Sequence, residues 1–174
     1  MEKTDALEAL TVSLLRFEKQ FLLLRRAENK AFAPGKWTGL GGHVEAEEYT
    51  RLRASALREV EEESRLSPSD ITNYCLRRAV LVGRPRQPLR VLLYYTGVLS
   101  QRVTPACPEG TLFWKQEAEF AGLDIIETTR PVLPLLIQDM DADPDGVGLP
   151  VVGVAVFDRH GVFERVVWVN STNE

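Results

Sequence analysis

The sequence predicts an α/β chain in which one mixed, α+β-type sheet lies between two helices. Three observations carry this reading. Apolar runs of strand length recur at Thr11 to Phe17, Phe21 to Arg26, Ile71 to Val82, Leu89 to Leu99, Val151 to Phe157 and Val162 to Val169. Leu52 to Leu66 contains no Gly or Pro and consists largely of Ala, Leu, Arg and Glu, all good helix formers. A second apolar stretch, Thr129 to Ile137, carries Pro131 where a first helical turn tolerates it. The order is therefore hairpin, loop, helix, strands, helix, hairpin.

The 174 residues are enough for one domain, 1–174, with a sizeable core. A composition of 44% hydrophobic and 26% charged residues is that of a globular protein, not a disordered one. A net charge of −4 argues against stable binding to nucleic acid. No apolar run approaches a membrane span, and the N-terminus lacks the basic-then-apolar pattern of a signal peptide. Cys75 and Cys107 have no ligand-pair spacing, and reduced thiols in the cytoplasm are the expectation.

Taken in order, Thr11 to Phe17 and Phe21 to Arg26 form a hairpin around Glu18-Lys19-Gln20. Ala33 to Gly42, with Pro34 and four glycines, is a loop entering a short strand near His43-Val44. Thr50 is the expected N-cap of the first helix. Pro68 disfavours helical geometry at Ser67, which ends that helix near Leu66. Gly83 to Pro88 joins two strands, with Arg84 and Arg86 expected in solvent. Thr104 to Gly110 is a loop, Leu112 to Trp114 a short strand, and Lys115 to Gly122 a connection. Asp139 to Gly146 is expected to be a solvated acidic loop. It mimics the start of a calcium loop but lacks the closing Glu, Val152 standing there. The last hairpin turns at Asp158 to Gly161, and the tail Asn170 to Glu174 is expected to fray.

The chemistry concentrates in the first helix. Ala56, Leu57 and Val60 make its apolar stripe, and Glu59, Glu62 and Glu63 share a flanking sector. Glu61 points elsewhere, towards Arg65. Clustered acids repel by about 0.2–0.5 kcal/mol per pair. In the last turns the helix dipole adds about 0.3–1 kcal/mol against each. A solvated charged face is the ordinary explanation of such a run. A bound divalent cation is the other, because carboxylate oxygens are its preferred ligands. The pair Gly41-Gly42 just upstream lets backbone approach closely and favours the second.

This arrangement resembles the Nudix hydrolase signature, Gly, five residues, Glu, seven residues, then Arg-Glu-apolar-x-Glu-Glu-x-Gly-apolar. Gly42 and Glu48 match its first half; Arg58, Glu59, Val60, Glu62, Glu63 and Leu66 match its second. Two features depart from it. Nine residues separate Glu48 from Arg58, which lengthens the loop or adds part of a turn. Arg65 stands at the final glycine, which suggests a helix ending differently, at Ser67-Pro68. The stretches Leu22 to Arg26 and Phe32 to Gly42 are similar to the subgroup that cleaves nucleoside triphosphates, notably oxidised purine ones. The resemblance implies an α/β/α sandwich and Mg²⁺ or Mn²⁺ held by Glu59, Glu62, Glu63 and the Gly42 carbonyl. It also implies that Arg58 orients the acids and that Glu62 or a downstream acid (Glu117, Glu119 or Glu127) takes a proton from water. Trp37, Thr38, Gly41, His43 and Arg25 are the expected substrate contacts. Trp37 reads equally as a wall of a base pocket or a cap on the core. His43 reads as a rim residue or a phosphate contact. Thr38 offers a purine only a hydroxyl, where the subgroup often has an amide.

The expected reaction is hydrolysis of a nucleoside diphosphate linked to a further group, above all a triphosphate giving monophosphate and pyrophosphate. The expected partner is this small nucleotide, on a monomer or homodimer. The alternatives are ADP-ribose, a dinucleotide or a nucleotide sugar as substrate, or a catalytically silent nucleotide-binding regulator. Capped or triphosphorylated RNA has no basic patch to support it.

Overall fold

A computed structural model describes residues 7–102 and 107–169. Part of the Thr104 to Gly110 loop and the whole Asn170 to Glu174 tail lie outside the described residues. Eight strands build one mixed sheet: β1 (Glu8–Phe17), β2 (Gln20–Arg26), β3 (Trp37–Thr38), β4 (Ile71–Val82), β5 (Arg90–Leu99), β6 (Gly110–Gln116), β7 (Val151–Phe157) and β8 (Phe163–Trp168). From β2 the order runs β2-β1-β5-β4-β7-β8, and β6 pairs along the other edge of β2. β1 runs parallel to β5 and β4 parallel to β7; the remaining pairs are antiparallel.

β1 and β2 part after Leu15–Leu22, and the Gly-rich segment is laced between them. Trp37 and Thr38 pair with Arg25 and Leu24 of β2; Leu40 and His43 then bridge to Ser13 and Leu10 of β1. What reads as a loop is therefore part of the sheet. Gly41 makes the crossover possible: its φ is +150°, and a Cβ there would lie 2.0 Å from the Thr11 carbonyl oxygen.

The helix α1 (Leu52–Ser64) covers one face and α2 (Leu133–Ala142) the other. Ala56, Leu57 and Val60 of α1 pack on Leu15, Leu22, Leu93 and Tyr95. Leu133, Leu136, Ile137 and Met140 of α2 pack on Val12, Leu14, Leu23 and Val80. Each fully buried Leu contributes about 1.5–3 kcal/mol through removal from water. The α/β/α sandwich is thus the observed architecture.

Four boundaries differ from the sequence reading. The N-cap of α1 is Arg51 and not Thr50, and its side chain makes no capping bond. A 3₁₀ turn at Ala46–Glu48 leads into it, with Arg51 N–H donating to the Glu48 carbonyl at 2.7 Å. β6 is longer than Leu112 to Trp114 because β2 templates it along its whole length. α2 starts four residues late, with Pro134 and not Pro131 in its first turn. It also continues through Asp139 to Ala142, into the stretch read as acidic loop.

Ion pairs explain that continuation. Arg78 grips Asp139 with two 2.7 Å bonds, Arg16 pairs with Asp141, and the buried Arg77 reaches both the carboxylate and the carbonyl of Asp143. Arg77 and Arg78 both reach α2 because β4 is bulged between Leu76 and Arg78, two residues facing one on β5. Asp143 further accepts the N–H groups of Val147 and Gly148. Asp139, Asp141 and Asp143 are thus occupied by arginines and turn amides. Arg84, expected in solvent, bonds Glu127 and lies over the Phe157 ring.

Candidate active site

The site forms where α1 faces the crossover segment. Glu63 is buried, and its Oε2 accepts the Gly41 N–H at 2.7 Å. Glu59 abuts Gly42 so closely that a Cβ there would lie 2.3 Å from Glu59 Oε2. The Gly42 carbonyl accepts the Thr11 N–H at 2.8 Å, which fixes its direction, and a longer bond of 3.5 Å from the Thr11 hydroxyl. Two turns of one helix are thereby locked to two consecutive glycines.

Arg58 organises the acids. Its Nε and Nη2 bond both oxygens of Glu48 at 2.8 Å, the fork geometry of a strong carboxylate pair. Its Nη1 bonds Glu59 at 2.7 Å and Glu62 at 3.1 Å, and Nη2 also reaches the His43 carbonyl at 3.2 Å. Glu48 additionally accepts Ser55 Oγ at 2.7 Å and the Glu45 N–H at 3.1 Å. Tyr49 to Arg51 link the 3₁₀ turn to α1, and Glu48 meets Arg58 across the nine intervening residues.

Ionisation reflects these contacts. The Arg58 guanidinium, with help from Ser55, holds the Glu48 carboxyl down at about 2. Burial pushes the Glu63 carboxyl up to about 8; the Gly41 N–H opposes this, while Glu59 and Glu109 reinforce it. Burial also raises Glu59, against the pull of Arg58. Arg58 holds its own proton more firmly than usual, chiefly through Glu48.

Two neighbouring desolvated carboxylates beside a backbone carbonyl suit a hard divalent cation, which would favour their ionised forms. Among the described residues no three His, Cys, Asp or Glu side chains already converge as a metal site. The Arg58 bonds account for this, since Glu62 leans on Nη1 with more than half its side chain exposed. Glu59, Glu63, Glu62 and the Gly42 carbonyl remain the groups that could hold a metal.

The helix end corrects the sequence reading. Arg65 occupies the left-handed conformation, φ +58°, and its N–H donates to the Glu61 carbonyl. An arginine thus performs the turn that the family signature gives to glycine, and Leu66 goes into the core. Arg65 meets Glu61 through the backbone and not through the side-chain pair that their spacing suggested.

Other expected site residues fall differently. Arg25 shares its sheet face with Leu23 and Trp37, opposite α1, and bonds Glu28 and the Gly35 carbonyl. Its neighbour Arg26 is close enough to act on the Glu63 carboxyl. Trp37 is half-buried, packs on Phe113 and adjoins the α2-side core. Thr38 is buried, and His43 is exposed at the rim. Glu117 and Glu119 follow Gln116, which pairs with Gln20 at the far end of β2. Arg26 pairs with Gly110 at the near end, six residues or roughly 20 Å away at a strand's rise. Glu119 is engaged by the Gln116 N–H and Lys115, and Glu127 by Arg84. None of these three acids is brought to the α1 cluster. The downstream acid near it is Glu109, which pairs with Lys30 and acts on Glu63. Its sequence signal is Gly110, where a Cβ would lie 2.1 Å from the Arg25 carbonyl oxygen. That glycine marks a close backbone approach, as Gly41 does.

The same elements recur in known proteins. Residues 6–136 match the family model described as NUDIX domain. The nucleoside triphosphatase NudI of Salmonella arizonae is 31% identical over 130 residues, covering 70% of this chain and 91% of that protein. A mutator MutT protein from Bacillus halodurans superposes with a TM-score of 0.67 at 17% identity, covering 92% of this chain and 97% of its own. A MutT protein from Methanosarcina mazei does so with a TM-score of 0.61 at 25% identity, covering 80% and 97%. A matched region that contains the crossover glycines, the arginine fork and all three helix acids makes this chain a member of the Nudix hydrolase family.

Proposed function

We propose that the protein is a divalent-metal-dependent pyrophosphohydrolase whose substrate is a nucleoside triphosphate. Water would attack a phosphorus of the chain, one P–O–P bond would break, and nucleoside monophosphate and pyrophosphate would leave. The observation that carries this is the lock between Glu59, Glu63 and the glycine pair, with Arg58 distributing its donors over Glu48, Glu59 and Glu62. The nucleoside triphosphatase relative supports the triphosphate reading.

Phosphoryl transfer asks a protein for positioning and charge compensation more than for covalent chemistry. Mg²⁺ or Mn²⁺, when bound, would supply that compensation and lower the pKa of a bound water. The protein's own groups do the rest. Glu48 fixes the arginine, and the arginine fixes the rotamer of Glu59. The Gly41 N–H orients Glu63, and the bare Gly42 leaves room for Glu59 and for a phosphate oxygen. Glu62, the outermost acid, is free to turn from Arg58 and accept the proton of the attacking water. Glu109, in the turn that enters β6, extends the acidic rim. Thr38, small and nearly covered, gives little purchase on a particular base edge, which fits a triphosphatase that tolerates several bases.

The test is formation of the nucleoside monophosphate with Mg²⁺, read by chromatography, from dGTP, 8-oxo-dGTP, 2-hydroxy-dATP and ADP-ribose, on wild type, Glu62→Gln and Glu63→Gln. Both variants are expected to fold and to lose at least about a hundredfold in turnover on triphosphates, the scale of losing a positioned proton acceptor or ligand. Near-wild-type turnover in either would remove that residue from the role. Cleavage of ADP-ribose alone would overturn the triphosphate reading.

A further inference from the structure

The mouth of the site has a second wall. β1 and β2 are antiparallel with Leu15 opposite Leu22, so at the same register Thr11 stands level with Arg26. The strands have parted there. On the β1 side the Thr11 N–H bonds the Gly42 carbonyl and the Gly41 N–H bonds Glu63, which ties the α1 acids to this level. On the β2 side Arg26 pairs with Gly110, and the turn just before Gly110 carries Glu109. The two sides sense each other across the gap. Glu109 and Arg26 both act on the Glu63 carboxyl, and the Cys107 thiol feels Glu63 and Glu109 together.

Lys30 belongs to this second wall. Its Nζ lies 2.5 Å from Glu109 Oε2. The turn that carries it is closed onto the same residue through the backbone: the Ala27 N–H donates to the Glu109 carbonyl at 3.0 Å, and the Lys30 N–H to the Ala27 carbonyl at 3.2 Å. The root of the side chain is therefore fixed, while its four-carbon stem lets the ammonium swing. With 29% of the side chain exposed, a ligand can reach it. Two nearby cations are committed elsewhere. Arg58 divides its guanidinium among Glu48, Glu59, Glu62 and the His43 carbonyl. Arg26 gives its Nε to the Phe32 carbonyl at 3.0 Å and lies against the Phe32 ring. An ammonium has three donors, so Lys30 can keep Glu109 and still bind a phosphate oxygen.

A polyphosphate chain in this cleft meets Glu59, Glu62 and Glu63 on one wall and Glu109 on the other. Divalent cations held by the α1 acids offset the first wall. The second needs a positive charge of its own, and Lys30 is already placed there. We propose that Lys30 binds the polyphosphate chain of the substrate from the β2–β3 turn. This deepens the triphosphate reading and rests on it for the nature of the ligand.

The test is calorimetric titration of the full chain with α,β-methylene dGTP and Mg²⁺, on wild type, Lys30→Met and Lys30→Arg, at about 50 and 200 mM salt. KM and kcat on dGTP are measured beside it through monophosphate formation. Lys30→Met is expected to weaken affinity for the analogue and raise KM by about ten- to a hundredfold, the scale of losing a hydrogen bond to a charged group. Its kcat should stay within about threefold, and salt should weaken binding less than in wild type. Lys30→Arg should recover most of the loss, because it restores the charge. Melting temperature should hardly move, since a partly exposed ion pair adds little to stability. Affinity and KM within about twofold of wild type in Lys30→Met would overturn the proposal. So would a loss confined to kcat, or one that Lys30→Arg does not restore. A wild type that binds the analogue but cleaves no triphosphate would instead remove the reaction, and the titrations would still decide the role of Lys30.

Discussion

Adding one methyl group at Gly42 separates the work of the glycine pair from the stability of the fold. A Cβ there would lie 2.3 Å from Glu59 Oε2 and 2.7 Å from its Cδ, where ordinary contact begins at 3.4 Å. The Glu59 carboxylate must therefore retreat by about 1 Å, the difference between those distances. A misplacement of that size can cost roughly a hundredfold in rate. The obstacle is the end of a flexible side chain and no backbone atom, and Gly42 has no positive φ to strain. The cost to folding in Gly42→Ala is accordingly expected to stay below about 1 kcal/mol, or roughly 2–4 °C in Tm for a chain of this size. The assay is pyrophosphate release with saturating Mg²⁺, run beside a thermal melt. A kcat lowered about a hundredfold with Tm nearly unchanged is the expected pair. In Glu59→Gln the same alanine should cost almost nothing more, because the group it displaces has already lost its charge. Turnover within threefold of wild type in Gly42→Ala would show that the working enzyme does not hold Glu59 against this glycine. Gly41→Ala is the control with the opposite character, since its Cβ meets the Thr11 backbone at 2.0 Å and φ is +150°. It is expected to damage folding before catalysis.

The same contacts set three further outcomes. Glu63 keeps its proton in the folded protein up to about pH 8, whereas the unfolded chain releases it near the ordinary value of 4.5, so metal-free stability falls as pH rises between those values. A melt in EDTA should show a Tm several degrees higher at pH 5.5 than at 8.5, and Glu63→Gln should flatten that slope; Glu48, depressed to about 2, acts oppositely and loses its contribution only as pH drops from about 4.5 towards 2. Arg58→Lys retains the charge but not the fork that spans Glu48 and Glu59, so kcat should fall about ten- to a hundredfold, and a rate within twofold of wild type would count against the organising role. Arg65→Gly relieves a left-handed arginine and should raise stability by about 0.5–1 kcal/mol with kcat unchanged, which a denaturant titration can read.

The legible part of the molecule was the part governed by local periodicity. Helical spacing alone placed Glu59, Glu62 and Glu63 together, and strand-length apolar runs placed β1, β2, β4 and β5 closely. Long-range pairing was illegible. Leu22, Leu23 and Leu24 are all buried because β2 is covered on both faces, so no alternation reveals that Arg26 and not Arg25 turns towards Glu63. Glu117 and Glu119 sit in the expected stretch of sequence, but antiparallel pairing carries them to the wrong end of β2 and leaves Glu109 near the site. The bulge that aims Arg77 and Arg78 at α2 has no sequence signature, and without those partners Asp139 to Asp143 look too acidic for a helix end. Arg65 shows the limit of residue-type rules: burial of the next residue, Leu66, in the core sets the backbone bend, and the side chain at the bend accommodates it.

The docking of Glu48 onto Arg58 has a consequence for how this region can vary. The acid finds its arginine through two side-chain bonds and not through a fixed count of intervening residues. Tyr49 to Arg51 are all solvent-accessible and can form a longer bow while both ends stay pinned. The connection is thus a natural place to insert a reporter peptide or tether, and spacing-based signature searches will pass over relatives that have lengthened it.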